Sequence, residues 1–286
     1  QNRLFAGGEI KRQEEYWLKR FAGDIPQLNL PLDYPRPSVY NTECAVFPFS
    51  IPAPLTSRIR DFSREKGTTA TPYMILLAVY TILLAKYSGQ EDIVVGSAIA
   101  GRRHIDLQNI IGVFINMLAM RNYPRGQFTF GEFLDRVKTN ALDAYENQDY
   151  SLDDLVNKLG IQAQTGLMSL VDTQFTLQDA ADMLENEQTI EIPGLRLKPA
   201  PFTHNRQSVQ LGLHAREEQN EYGMLFVYLT CLFKPSTVEN MSRDFVDILE
   251  QCMENNNIKL QDIGISHAQV AGTTELTDED VMDFEF

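Results

Sequence analysis

The segment Thr71–Gly89, TPYMILLAVYTILLAKYSG, most constrains what this chain can fold into. Thr71 can cap a helix, Pro72 sits where a missing N–H costs nothing, and Gly89 stands where a left-handed residue would end it. Between those signals nearly every side chain is apolar, so the helix has no polar stripe to turn to water. Such a helix must be buried on most of its circumference. Its apolar run, interrupted by Thr81, is shorter than the roughly 20 residues a bilayer span requires. The sequence therefore predicts a helix at the centre of a soluble core, with other elements packed around it. At 286 residues the chain is long enough to bury roughly three quarters of its unfolded surface, close to the upper limit for one core. One large domain and two small ones are both allowed.

What surrounds the helix is mixed. Two β-branched, unalternating runs, DIVVGSAIA and GVFINMLAM, predict strands in a sheet covered on both faces. They flank a polar loop holding Arg102, Arg103, His104 and Asp106. Upstream, a helix closes near Gly23, LPLDYPRP is extended, TECAVFPFSIP reads as a strand, and Thr56–Lys66 reads as an amphipathic helix with Ile59 and Phe62 inward and Gly67 as its stop. Downstream, Phe133, Val137, Ala141 and Tyr145 repeat at helical spacing within Thr129–Gln148, and SLDD opens a short helix. SLVDTQFTLQ reads as a strand and ADMLENEQ as an acidic turn or short helix. In SVQLGLHA the apolar residues Val209, Leu211, Leu213 and Ala215 alternate, and EEQNEYG turns the chain into GMLFVYLT as a hairpin. Ser236, with Glu239 three residues on, opens a last helix that buries Val238, Met241, Phe245, Ile248, Leu249 and Cys252. The sum is an α/β fold with central strands and covering helices.

The net charge of −14 argues against nucleic acid, whose binding needs lysine and arginine to displace counterions. Cys44, Cys231 and Cys252 are scattered and odd in number. They fit buried thiols in a reducing cytoplasm and make neither a disulfide framework nor a zinc pattern. No basic-then-apolar leader opens the chain, so neither secretion nor a membrane is expected, and a start at Gln1 suggests a piece of something longer. From Gly272 the tail TTELTDEDVMDFEF carries six acids and no base. It reads as a linker, or as an acidic–apolar docking motif in which Val281, Phe284 and Phe286 fill pockets on a partner.

No reacting group stands out. There is no Gly-rich phosphate loop and no G-x-S-x-G elbow. His104, His204, His214 and His267 are isolated, and no spacing of Cys or His suits a metal. The acid pairs read as a helix cap and a solvated run.

Several runs taken together resemble the condensation domains of nonribosomal peptide synthetases, and specifically their C-terminal half. YWLKRFAGDIPQLNLPLDYPRP resembles the family's lobe-entry segment, and YMILLAVYTILLAKYSGQEDIVVGSAIAGR its core helix, strand and Gly-Arg loop. IIGVFINMLAMR matches the pattern I-G-x-F-x-N-x-x-x-x-R, and ENQDYSLDDLV resembles the N-Q-D-Y signature that follows it. VDTQFTLQD and LFVYLTCLFKPSTVENMSRDFVDILEQ occupy the expected later positions. The resemblance covers about residues 1–265, leaving 266–286 as an acidic linker or docking tail. Two departures stand out. The catalytic H-H-x-x-x-D-G motif of the family is absent, as expected if it lies upstream of this chain. The R-D-x-S-R-N-P-L signature is replaced by IQAQTGLMSL, without arginine, which bears on a family salt bridge and on full activity.

The resemblance implies a chloramphenicol-acetyltransferase-like two-layer sandwich lobe, with a mixed sheet covered by helices. It implies a role in joining a carrier-tethered acyl donor to an amine acceptor, with the catalytic histidines on the N-terminal lobe of the same domain. No cofactor is expected to bind directly; phosphopantetheine arms of donor and acceptor carrier domains bring the substrates. A β-hairpin docking domain is a further candidate partner for the tail. The rival readings are a non-catalytic platform that recruits carriers, and a relative that condenses a diffusible amine or alcohol. For the site, the resemblance places Arg102 and Arg103 in a loop flooring the tunnel between lobes, Asn116 toward that tunnel, Gln148 and Asp149 in support, and Gly194–Leu213 in a latch strand. Strand alternation puts Asn116, Leu118 and Met120 on one face, taken here as the tunnel face. Each has an ordinary alternative. Arg102 can pair with Asp106 or Asp92, Asn116 can bond backbone, Gln148 and Asp149 can cap the next helix, and Leu118 and Met120 can be core.

Overall fold

The computed structural model describes residues 8–37, 39, 41–64, 70–103, 105–107, 110–161, 167, 170–178, 190–192, 194–197, 206–218 and 220–267. In chain order its elements are α1 (Glu9–Arg20), β1 (Cys44–Ile51), α2 (Ala53–Arg64), α3 (Pro72–Ser88), β2 (Ile93–Ile99), β3 (Asn116–Asn122), α4 (Phe130–Glu146), α5 (Leu152–Leu159), β4 (Thr173–Gln178), β5 (Ile190–Ile192), β6 (Leu195–Leu197), β7 (Leu211–Glu217), β8 (Tyr222–Leu229) and α6 (Pro235–Glu254). Tail residues Val281, Phe284 and Phe286, the histidines His104 and His204, the segment ADMLENEQ and the stop at Gly67 lie outside the described residues.

Six strands form one mixed sheet in the order β1-β8-β7-β4-β2-β3. The β7–β4 and β4–β2 contacts are parallel and the others antiparallel. Strands β5 and β6 make a separate small hairpin.

Helix α3 lies against this sheet as its sequence demands. The Thr71 hydroxyl accepts the Met74 N–H and Gly89 ends the helix at φ 69°. Ile75, Leu76, Leu77 and Val79 are fully buried. Each such side chain contributes about 1.5–3 kcal/mol on burial, so only a central position satisfies the helix. Its polar atoms are bonded as they descend: Tyr73 donates to Ser97 Oγ at 2.7 Å, Tyr80 bonds Thr173 Oγ1 at 2.5 Å, and Thr81 donates to the Leu77 carbonyl at 2.7 Å. Phe175 and Phe226 meet Tyr80 ring to ring, and Phe49 meets Phe245 of α6. These contacts define the helix-covered face of the sheet.

The opposite face changes along the sheet. At the β2–β3 end it is covered, as the unalternating runs predict. Trp17 and Phe21 are buried there, and Arg121 is only 5% exposed. Arg121 forks onto Asp92 at 3.0 and 2.7 Å, donates to the carbonyls of Arg20 and Asp24, and lies over the rings of Phe21 and Tyr123. One arginine thus ties the lobe-entry segment to the sheet edge. Toward β1 the face opens: Val46 is 44% exposed, and Pro48 and Ser50 are exposed as well.

Helix α4 begins with a complete capping box between Thr129 and Glu132, and Ser151 caps α5 by accepting the Asp154 N–H. Two expectations shift. Helix α6 starts at Pro235, ahead of Ser236, because the fixed φ of proline suits the first helical position. The run GVFINMLAM is only partly a strand: β3 begins at Asn116, and the residues before it belong to an exposed loop.

Candidate functional site

The loop of residues 100–115 joins two paired strand ends, since Ile99 and Asn116 face each other in the β2–β3 register. It leaves β2 through Gly101 at φ 64°, where an added Cβ would strike the Phe114 carbonyl; only glycine fits. Arg102 then organises the interior. It donates to the carbonyls of Leu107, Ile110 and Gly112, and its guanidinium lies 4.4 Å from the centre of the Phe114 ring. Neither suggested carboxylate is needed to explain Arg102, and Asp92 is paired with Arg121.

Both stems of the loop are pinned to the NQDY segment. On one side Arg103 pairs with Asp149 at 2.6 Å. On the other, the Asn116 amide donates to the carbonyls of Gln148 and Tyr150 at 2.8 and 3.0 Å, while its oxygen accepts the Met117 N–H. Helix α1 completes the knot. Gln13 donates to Asp149 and accepts the backbone N–H groups of Asp149 and Tyr150, and Trp17 Nε1 donates to the Asn147 carbonyl. The Gln148 side chain donates back to the Tyr145 carbonyl. The structure therefore brings Arg103, Asn116, Gln148 and Asp149 together, but as the anchor of a loop.

The expected tunnel face is corrected by the same register. Asn116, Leu118 and Met120 share the face of Ser97, which receives Tyr73 of α3. Leu118 and Met120 are 1% and 2% exposed, core residues under the helices. The Asn116 amide is already bonded at both ends, which is its backbone alternative. Burial commits Leu118 and Met120 to the core, and hydrogen bonds within the chain engage the partly buried Asn116.

What the loop does offer is apolar surface. Ile111 is 102% exposed and Val113 93%, with Ile105, Ile110 and Ile115 also exposed. Five large apolar side chains are thus exposed between residues 105 and 115.

The open side of the sheet carries polar groups that the sequence reading passed over. Thr176 and Gln178 of β4 stand beside His214 and Arg216 of β7, and Leu225 of β8 follows. Gln174 Nε2 lies 3.3 Å from His214 Nε2. The signal was present as period-two polarity, Gln174, Thr176, Gln178 against buried Phe175, and His214, Arg216 against buried Leu213 and Ala215. Near the start of β4, burial pushes the Asp172 carboxyl above the usual carboxylate range, opposed by hydrogen bonds from the Leu28 N–H and the Gln210 amide. Those bonds make Asp172 a staple between the lobe-entry segment and the sheet.

A model of the condensation domain matches residues 1–270. The chain belongs to the condensation domain family. Tyrocidine synthase 3 of Brevibacillus parabrevis is 43% identical over 263 residues, which is 92% of this chain and 4% of that synthase. Bacitracin synthase 3 of Bacillus licheniformis is likewise 43% identical over 263 residues, 92% of this chain and 4% of the synthase. Surfactin synthase subunit 1 of Bacillus subtilis (strain 168) is 38% identical over 257 residues, 89% of this chain and 7% of its own length. This condensation-domain chain thus spans a small part of the length of the synthases it matches.

Among solved structures, the X-domain from teicoplanin biosynthesis superposes with TM-score 0.82 at 21% identity, covering 92% of this chain and 60% of that one. The first condensation domain of the calcium-dependent antibiotic synthetase, in complex with a substrate analogue, gives 0.68 at 15%, covering 92% and 55%. The condensation-domain fold is therefore shared, and this chain accounts for over half of each such structure. No helix among the described residues is long and apolar enough to cross a membrane.

Proposed function

We propose that this chain is the C-terminal lobe of a condensation domain that forms amide bonds in nonribosomal peptide synthesis, within the cytoplasm. Donor and acceptor arrive on the phosphopantetheine arms of carrier domains. The acceptor amine attacks the donor thioester carbonyl, the carbon–sulfur bond breaks, and the arm leaves as a thiol. The second histidine of the family's motif, on the N-terminal lobe of the same domain, places the amine or takes its proton. This lobe holds and orients the reactants, a contribution worth on the order of 7–11 kcal/mol when geometry is well set.

The observation that carries this reading is the exposed apolar loop, with Ile111 and Val113 at 102% and 93% exposure on a backbone held in shape by Arg102. A loop held by these bonds with its isoleucines outward is suited to being covered, and the facing lobe is the body that would cover it. Family membership and the polar open face of the sheet support the same assignment.

The test supplies the N-terminal lobe, together with donor- and acceptor-loaded carrier domains. The complete domain should form amide, the isolated chain should not, and Ile111→Lys with Val113→Lys should abolish lobe pairing in size-exclusion chromatography. Amide formation by the isolated chain at the rate of the complete domain would reject the proposal.

A further inference from the structure

One cross-sheet row on the open face has an unusual composition. Following the register from β3 to β1, it reads Ala119, Gly96, Gln174, Gly212, Val227, Val46. Gln174 therefore rises between two glycines, with no side chain directly beside it on either neighbouring strand. The glycines are not interchangeable with alanine. A Cβ at Gly212 would lie 3.2 Å from Gln174 Cγ and 3.3 Å from both Gln174 Nε2 and His214 Nε2. A Cβ at Gly96 would lie 2.5 Å from Val171 Cγ1 and 3.1 Å from Met117 Sδ. The two glycines leave room for the Val171, Gln174 and His214 side chains that pack over them.

The amide is half engaged. Its Nε2 lies within hydrogen-bond distance of His214 Nε2, at 3.3 Å. Its Oε1 has no hydrogen-bond partner among the described residues. A partly buried carbonyl oxygen, oriented by a histidine and flanked by glycine, is an acceptor waiting for an N–H.

We propose that Gln174 Oε1 accepts a secondary-amide N–H of the tethered substrate, with His214 as the residue that orients it and Gly212 as the residue that leaves it room. This rests on the proposed function, and takes the open face of the sheet as a wall of the space that holds the substrates. The chemistry recognised is an amide N–H. Two sources carry it: the pantetheine arm, and a peptidyl donor.

Two measurements test the assignment. In the first, the 286-residue chain, labelled at glutamine side chains, is titrated with pantetheine and separately with an N-acetyl dipeptide amide. The Gln174 side-chain resonances, assigned by their loss in Gln174→Leu, should shift with at least one probe, and the shift should vanish in Gly212→Val. Resonances that stay still with both probes overturn the inference, whatever the chain does in catalysis.

In the second, the complete domain is assayed with dipeptidyl-loaded and hexanoyl-loaded donor carriers. Loss of one such hydrogen bond corresponds to about a tenfold fall in kcat/KM. A fall in Gln174→Leu confined to the dipeptidyl donor assigns the contact to the substrate, and an equal fall with both donors assigns it to the arm. Unchanged kcat/KM for both donors refutes the inference while leaving the proposed amide synthesis intact. An inactive wild-type domain counts against the proposed function alone, because the titration still decides the inference.

Discussion

Replacing Asp244 by alanine should destabilise this chain more than any single surface change, and the structure says by how much. Asp244 lies on α6 and is 0% exposed. Its Oδ2 accepts the Tyr87 hydroxyl at 2.7 Å, and its Oδ1 accepts the Ser266 N–H at 3.1 Å and His267 Nδ1 at 2.9 Å. One carboxylate thus joins α6, α3 and the segment following the last 3-10 turn. Truncation leaves the Tyr87 hydroxyl and the Ser266 N–H without their acceptor, at about 1–3 kcal/mol each. It also returns the cost of keeping a carboxylate dry, which offsets part of that loss. The net expectation is about 2–4 kcal/mol, a large part of the roughly 5–15 kcal/mol that holds a typical domain folded. Tyr87→Phe alone should cost about 1.5–3 kcal/mol, the range for a hydrogen bond to a charged group. Because the two residues touch, the double variant should be less destabilised than the sum by about 1–2 kcal/mol. Urea unfolding read by tyrosine and tryptophan fluorescence measures all four corners, with unchanged m-values as the check on two-state behaviour. A loss under about 1 kcal/mol in Asp244→Ala, or additivity in the cycle, would refute the idea that this carboxylate is the junction.

Burial pushes the phenols of Tyr73, Tyr80 and Tyr87 above their ordinary value, for Tyr87 with help from the Asp244 carboxylate. Their protonated form is the folded form, so this contribution is complete below about pH 10 and lost as pH rises beyond it. Urea midpoints should fall from about pH 9 to about pH 11, and less steeply in Tyr87→Phe; equal slopes would contradict the assignment. Gly101→Ala should loosen the loop of residues 100–115, since alanine meets both a left-handed backbone and the Phe114 carbonyl. Faster amide exchange over 105–115 with little change in the global midpoint is the expected result, and unchanged exchange would count against it. Among the cysteines, Cys252 is fully buried and its thiol is pushed up by desolvation, whereas Cys231 is only partly covered. A disulfide reagent should therefore modify Cys231 in the native protein and reach Cys252 only on unfolding, as mass spectrometry would show.

The parts of this structure that sequence foretells are those decided within a few residues. Thr71, Pro72 and Gly89 bound α3 because capping and a left-handed stop are local events, and the polar alternation of SVQLGLHA marks a strand with two unlike faces for the same reason. The failures share a different cause. Alternation separates Asn116, Leu118 and Met120 from Met117 and Ala119, but which set meets helices depends on where α3 packs, a contact far away in sequence. In the loop of residues 100–115, the stretch GVFI has the apolar density of a buried strand, and as the start of GVFINMLAM it reads as one. The loop's isoleucines obey the usual rule of burial only if the burying surface belongs to another body. The four residues misread as strand, 112–115, lie within the run that carries the functional proposal, and for one reason: hydrophobicity records that a side chain is to be covered without recording by what. The loop shape held by Arg102, Arg103 and Asn116 supplies the missing half of that statement. Carbonyl clamps and an ion pair to the NQDY segment keep the apolar side chains pointing outward, which a loop meant to collapse onto its own core would not need.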